Sequence, residues 1–574
     1  HTCTHTHTHT HTHTHHARTT GTHRVAESLE NIKQGFQARQ GSRGASPFLF
    51  FLILLIFFIV GYPYPWQPTT TRDFCVGKLS NPRLRALCAK GGGDISLTTP
   101  SHMLDLMAIP AALKRRKVNE EIADQPVCLI ADGTTRVAEV YTCVGRFWLN
   151  GVTHRVLRLR LLAHSLTGPE NAWFLADVVT ASGIVWRNVL CVAADRAATN
   201  KDAFNIITSS EPTFVGLLVG CVPHTFSHVG EKSDLKVLTA FVKALTATLV
   251  STNSTNCFKK HFGESQRRHS NVRWHCEFEQ CTQVALRFPC LQPYMLECEQ
   301  KDYAPESIKA MRDVVAADGH LLRCELAINM DAFLPFVNAT FFLEGDGVLC
   351  FAVTDKLEEL DLHVTAVRAG RHGVPNTLAV ARDIVRTQRG HLLQAAQDQD
   401  VAALVAEQLA KVEPSFVFYE ARKVTLKEQF DVFEACRVFD PTRAGYLQGL
   451  SANDVSVKFS LFPFFSAAEV QLLVNTWPAY LVYVNGHPPV LNGQGEVPYE
   501  AWWTLAGAAG HAAWFEAAKK VMILTPSSAA AERVFSMLKA LIGDNQQASA
   551  LEDYQQTSIM LHYNQLQRYK AMRG

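Results

Sequence analysis

The sequence has no Cys-x-x-Cys pair, and its 15 cysteines are scattered and odd in number. That pattern suits reduced thiols inside a cell better than the disulfide framework of a secreted protein. It also lacks Gly-x-Ser-x-Gly, His-Glu-x-x-His and a phosphate-binding Gly-Lys-Ser/Thr loop. The corresponding serine hydrolases, zinc proteases and NTPases are therefore excluded. Neither sign of charge dominates, with 55 Lys and Arg against 53 Asp and Glu. A nucleic-acid surface, if there is one, must be a local patch. What is present is ordinary globular composition: 47% apolar and 19% charged residues over 574 positions. That rules out full-length disorder, a collagen-like fibre and a coiled-coil rod, and bounds the chain at about three to five domain-sized units.

Residues 1–103 differ from the rest. His and Thr alternate up to His16, and no Met occurs before Met103. A dinucleotide repeat read in triplets gives such an alternation, so the segment is expected to be disordered or an artefact of the gene model. The rival reading is a histidine-rich metal tract, but nothing imposes a coordination geometry on it. Phe48 to Val60 is an unbroken apolar run of 13 residues. As a helix it would reach roughly 20 Å, short of the ~30 Å hydrocarbon core. Pro63 and Pro65 block its extension, while Arg39, Arg43, Tyr62, Tyr64 and Trp66 give it the flanks of a membrane interface. A membrane anchor at 48–60 is the alternative to untranslated sequence.

Organised sequence begins near Leu104. Lys114-Arg115-Arg116-Lys117 reads either as a nuclear-import or phosphate-contacting cluster or as a solvated helix face. Strands are expected at Gln125–Ala131, Val140–Trp148 and His154–Leu162, the last with Arg155, Arg158 and Arg160 interleaved among apolar residues. A helix over Asn171–Ser182 has Trp173, Leu175, Val178 and Val179 at inward spacing. A strand at Val189–Ala194 follows, then a helix with Ala203, Phe204 and Ile207 inward, then a strand at Phe214–Val219. The order is β-β-β-α-β-α-β, a mixed sheet in an α/β core. Two strands run into aspartates, Asp132 and Asp195, which such strands carry to the carboxyl edge of the sheet. Neighbouring carboxylates repel unless a cation lies between them, and hard oxygen ligands suit Mg²⁺ or Mn²⁺. The competing view makes each aspartate a turn opener, in Asp-Gly and Asp-Arg.

Near the end, Pro526 and Ser528 announce a helix with Val534, Phe535, Leu538, Leu541 and Ile542 on one face. With Ser528 as N-cap, Glu532 is the fourth helical residue, one beyond the capping-box position. The string Ser-Ser-Ala-Ala-Ala-Glu-Arg-Val-Phe-Ser (527–536) resembles the signature of the C-terminal dimerisation region of hAT-superfamily DNA transposases. The resemblance implies an RNase H-like core, interrupted after its fifth strand by a long helical insertion and completed by this acidic helix. It implies a catalytic, metal-binding triad of Asp132, Asp195 and Glu532. Asp132 matches through the Asp-Gly-Thr-Thr that it begins, and Asp195 through Asp-x-Ala-x-x-Asn (195–200). Cys221-Val-Pro-His224 resembles the family's Cys-x-x-His. That makes His224 a neighbour of the scissile phosphate, whereas Cys221, His224 and His228 alone form at most an incomplete zinc set. Arg273-Trp274 resembles the family's Arg-Trp, where an aromatic could stack on an extruded base. Lys259, Lys260, Arg267 and Arg268 upstream would line a phosphate rim. Leu343-Glu344-Gly345-Asp346-Gly347 also resembles a family segment, and by itself reads as a turn.

The expected organisation is therefore 1–103 as the anomalous leader, 104–232 as the first part of the core, 233–525 as the helical insertion, and 526–574 as the last core helix with the dimerisation region. In the insertion, Val401–Val412 and Phe430–Phe439 read as amphipathic. Leu551, Tyr554, Ile559, Met560 and Tyr563 would form a face for a partner chain or for the insertion, and the resemblance favours a homodimer. The implied function is metal-dependent cleavage and transfer of DNA, with transposon ends and target DNA as partners and the nucleus as location. The chain departs from the family in one respect. Active members carry an upstream zinc finger, but Cys3, Cys75, Cys88 and Cys128 are the only cysteines before Asp132, and none forms a pair. A catalytically inactive, dimerising DNA-associated protein is accordingly the second expectation, and a membrane-anchored protein the third.

Overall fold

The computed structural model describes residues 112–134, 139–264, 274–542, 559–560 and 563–564. The histidine repeat, the apolar run 48–60, Arg267, Arg268, Arg273, Leu551 and Tyr554 lie outside them. The described chain is mostly helical, with one mixed sheet of five strands. A helix over 112–122 (α1) leads into β1 (Val127–Thr134), β2 (Glu139–Trp148) and β3 (Val152–Leu162). Then come α2 (Gly168–Ala181), β4 (Val189–Ala194), α3 (Ala198–Ser210), β5 (Leu217–Gly220) and α4 (Val222–Gly230). The helical region follows, with α5 (Lys236–Thr248), α6 (Thr252–Phe262), α7 (Trp274–Leu286), α8 (Leu291–Gln300) and α9 (Pro305–Leu343) near its start. It ends with α10 (Ala467–Gly486), α11 (Tyr499–Ala506) and α12 (Ala512–Met522) before the last helix, α13 (Ala529–Ile542).

The strands lie in the order β3-β2-β1-β4-β5. β1 pairs antiparallel with β2 and parallel with β4, and β4 pairs parallel with β5. The run Val127–Ala131 is continuously apolar because both faces of the sheet are covered. Val127, Leu129 and Ala131 pack towards α1, α2 and α3, while Cys128 and Ile130 pack into the core shared with the helical region. That second core also takes in Val534 and Leu538 of α13. Sheet and helical region are thus joined by one continuous apolar interior. Three stacked rings brace the approach to α13: Tyr480 lies 3.9 Å from Trp514 and 5.6 Å from Trp503, centroid to centroid.

Several expectations shift. Leu175, Val178 and Val179 are buried as expected, but Trp173 is 72% exposed because the stripe runs through Asn171, Ala172 and Phe174 instead. Adjacent apolar Val156 and Leu157 break the alternation of β3 because the register slips there: Cys143 opposes Arg158 but Val144 opposes Val156. Arg155 is buried and pairs with Glu121 at 2.9 Å instead of facing water. The fifth strand starts at Leu217, with Phe214 buried in the turn before it. Ile559, Met560 and Tyr563 are buried within this chain, and Asn564 Oδ1 accepts the Val156 N–H of edge strand β3 at 2.9 Å. That part of the expected partner face is used internally. In the basic run, Arg115, Arg116 and Lys117 are exposed on α1. By length and composition α9 could cross a membrane, but 67% of its most apolar stretch is buried inside the protein. Among the described residues it is the only such helix, and it is a core helix.

One buried cation fastens the layers. Arg146 on β2 is 1% exposed and donates to the Met522 carbonyl at 3.0 Å and the Gly347 carbonyl at 2.6 Å. It also donates to His154 Nε2 at 3.1 Å. Burial first, then the Arg146 charge, holds His154 well below the ordinary imidazole pKa, so its ring is neutral and accepts. Arg146→Met leaves two buried carbonyls unpaired and should cost about 2–5 kcal/mol. Urea unfolding monitored at tryptophan tests this, and an unchanged midpoint would mean that the clamp carries no weight.

Candidate functional site at the carboxyl edge of the sheet

The pairing of β1 with β4 runs Cys128↔Cys191, Leu129↔Val192 and Ile130↔Ala193. The paired stretch ends at Ile130↔Ala193, two residues before Asp132 on β1 and two before Asp195, which lies just past the end of β4. By the alternation of the pleat, Asp132 follows Cys128 and Ile130 onto the face that α13 covers. β4 ends at Ala194, so Asp195 lies just past the strand, held to Asn200 of α3. The turn-opener reading of Asp132 does not hold. β1 continues through Gly133 to Thr134, and Gly133 is needed for close approach, since a Cβ there would meet the Tyr141 ring at 2.9 Å. Asp195 does open a turn, with its Oδ1 accepting from the Ala197 N–H at 3.0 Å and from Asn200 Nδ2 at 2.5 Å. Both bonds fall on Oδ1, and Oδ2 has no hydrogen-bond partner among the described residues.

The helix that carries Glu532 is tied to this edge through a chain of contacts. α13 packs on β1 and β2. Its first turn is capped by Ser528, whose carbonyl accepts the Ala531 N–H at 2.9 Å, so Glu532 is the fourth helical residue, as the spacing suggests. Ser528 Oγ donates to Glu532 Oε1 at 3.4 Å. The Ser528 N–H points at Cys221 Sγ at 3.5 Å, and the Cys221 N–H donates to the Ala194 carbonyl at 2.8 Å, directly before Asp195. The Val222 N–H takes the Pro526 carbonyl at 2.8 Å. Asp132, Asp195 and Glu532 are each half-buried. Their oxygens do not close into a compact group. Among the described residues the one set of three His, Cys, Asp or Glu side chains with ligand atoms within 4.8 Å is Cys257, His261 and Glu297. Mutual repulsion keeps unscreened carboxylates apart.

The next residue, Arg533, fixes the pitch of α13. It donates to the Glu344 carbonyl at 2.9 Å and to Asp346 Oδ1 at 2.7 Å. The turn 343–347 is therefore a docking point, gripped by Arg533 from one side and Arg146 from the other.

A polar network missed in the sequence supports Asp195. Asn200 Oδ1 accepts from Tyr141 Oη at 3.0 Å and from Asn171 Nδ2 at 2.5 Å, which orients its amide nitrogen towards Asp195. Burial, then the charge of Asp132 and to a smaller extent that of Asp195, drives the Tyr141 pKa far up, so the phenol stays protonated and donates. Both aspartates are thus felt at one hydroxyl. The signal for Asn200 was in the sequence, five residues after Asp195, but Tyr141 and Asn171 carry no local mark.

The remaining candidates scatter. His224 Nε2 lies 3.0 Å from His228 Nε2, and His228 Nδ1 lies 2.8 Å from Glu231. Cys221 is buried against Ser528 rather than turned to these histidines, so no zinc set forms there. Lys259 and Lys260 are exposed at the end of α6, but Lys260 is paired with Glu297 at 2.6 Å. Trp274 opens α7, immediately after Arg273 and the undescribed segment.

No protein-family model matches the chain, and no curated protein matches it.

Asn200→Ala strands the Tyr141 hydroxyl and the Asn171 amide in a buried site and should cost about 2–4 kcal/mol. Denaturant unfolding followed by near-ultraviolet dichroism measures it, and a loss below about 0.5 kcal/mol would detach Asn200 from the support of Asp195.

Proposed function

We propose that this chain is a hAT-type DNA transposase, or a protein descended from one, built on an RNase H-like core. The observation that supports this reading is the parallel pairing of β1 with β4, whose carboxyl ends lead to Asp132 and Asp195, with the helix of Glu532 packed on β1. The element order β-β-β-α-β-α-β, the helices between β5 and α13, and the 527–536 string support it together.

In this reading Asp132, Asp195 and Glu532 hold Mg²⁺ or Mn²⁺. The donor set fits: it is all oxygen, it offers carboxylates from three separate elements, and Asp195 Oδ2 makes no hydrogen bond among the described residues. The ion supplies Lewis-acid activation of a water or DNA hydroxyl and charge for the leaving oxygen. The protein's part is positioning. β1 and the end of β4 carry the aspartates to one edge, Asn200 orients Asp195, and the Arg533 clamp fixes the helix of Glu532. Nuclear location follows from the DNA substrate, with the exposed cations of α1 as a local basic patch. His224, Lys259, Arg273 and Trp274 are the proposed contacts to DNA, with Lys260 available only after it leaves Glu297. A homodimer rests on the resemblance, since Ile559, Met560 and Tyr563 pack inside the chain.

A second reading, a DNA-associated dimer without cleavage, is favoured by one observation: the three acids lie farther apart than a closed ligand group. Nicking of supercoiled DNA by the purified full chain separates the two. Nicking should require Mg²⁺ or Mn²⁺, and Asp132→Asn, Asp195→Asn and Glu532→Gln should each lower it by about 10²-fold or more with the fold intact. Cleavage by any one of them at the wild-type rate rejects the triad. DNA binding by the full chain without metal-dependent nicking selects the second reading.

A further inference from the structure

Away from the sheet edge, α6 and α8 bring a second set of metal-ligating groups together. Cys257 and His261 are four residues apart on α6 and so share one face. Glu297 and Cys298 are adjacent on α8. The Cys257 sulfur, a ring nitrogen of His261 and a carboxylate oxygen of Glu297 all lie within 4.8 Å of one another. Cys298 shares a hydrogen bond with Cys257. The buried Tyr294 hydroxyl, on the same helix, also shares a hydrogen bond with Cys298.

We propose that Cys257, His261, Glu297 and Cys298 form a structural site for a thiophilic divalent cation, Zn²⁺, that staples α6 to α8. Two sulfurs, one imidazole and one carboxylate are a four-ligand set that zinc takes and Mg²⁺ does not. Two ligands from each of two helices form a closed site rather than a catalytic one with an open position. Cys298 Sγ, already within hydrogen-bonding reach of Cys257 Sγ, is the fourth ligand in this proposal. Both thiols are buried, at 5% and 0% exposure, and burial pushes Cys298 up to about 12. They are therefore neutral without a cation, and binding releases one proton from each to solvent as the thiolates bind the metal. The bound group carries +2 from zinc, −2 from the two thiolates and −1 from Glu297. Lys260 and Lys301, which sit on Glu297 at 2.6 and 2.7 Å, are placed to offset the residual negative charge. His261 and Glu297 keep 18% and 14% of their side chains exposed, which gives the ion a way in. The site stands independently of the nuclease reading.

Cobalt(II) substitution in the reduced full chain tests it. Thiolate-to-cobalt charge transfer is the readout because the histidines of residues 1–16 inflate a total-metal count but not that band. The wild type should show the band at roughly one equivalent, and zinc should abolish it by displacement. Cys257→Ser and Cys298→Ser should lose most of it, with Cys290→Ser unchanged. If the cysteine variants fail to fold by circular dichroism, His261→Gln and Glu297→Gln, on the exposed side, carry the test and should weaken cobalt binding at least about tenfold. Absence of the band in wild type overturns the proposal. So does a full band in Cys257→Ser, or unchanged affinity in both His261→Gln and Glu297→Gln.

Discussion

Parallel pairing of β1 with β4 is the constraint on which the candidate site depends. Each strand alone delivers an aspartate to an edge, but only their pairing, from Cys128↔Cys191 to Ile130↔Ala193, brings the two strand ends to the same edge of the sheet. The pleat turns Asp132, after Cys128 and Ile130, to the face that α13 covers, and a one-residue slip of β1 would send it to the opposite face. The apolar residues between fix that register from both sides. Val127, Leu129 and Ala131 are committed to one core, and Cys128 and Ile130 to the other.

The last helix is held at this edge by residues from distant parts of the chain. Ser528 meets Cys221 after β5, Arg533 meets Glu344 and Asp346 after α9, and Arg146 ties β2 to Gly347 and Met522. The string 527–536 thus starts the helix at Ser528, against Cys221, and locks it through Arg533. A turn that reads as a mere connection at 343–347 is the anchor for that lock.

Much of the core was legible in the sequence because strand signals there are strong. Val189–Ala194 is apolar throughout and appears as a strand with those bounds. β1 was legible except at its end, where Asp-Gly suggested a turn. The structure uses Gly133 to admit the Tyr141 ring, a cross-strand need that no local pattern encodes. Trp173 misled because its size outweighed the helical phase, which is set by the smaller Ala172 and by Phe174. Arg155 reads as one of the polar alternates of β3, but its partner Glu121 lies on α1, and Arg146 carries no local mark of its partner Met522. The Cys257–Glu297 cluster was invisible for the same reason, since its ligands come from two helices and no short spacing links them.

Crystals of the full chain soaked in Mn²⁺ test the account at its centre. An anomalous difference peak is predicted between β1 and β4, about 2–2.5 Å from a carboxylate oxygen of both Asp132 and Asp195, with Glu532 drawn towards it directly or through water. Manganese bound elsewhere on the protein, with no peak touching the two aspartates, would contradict it.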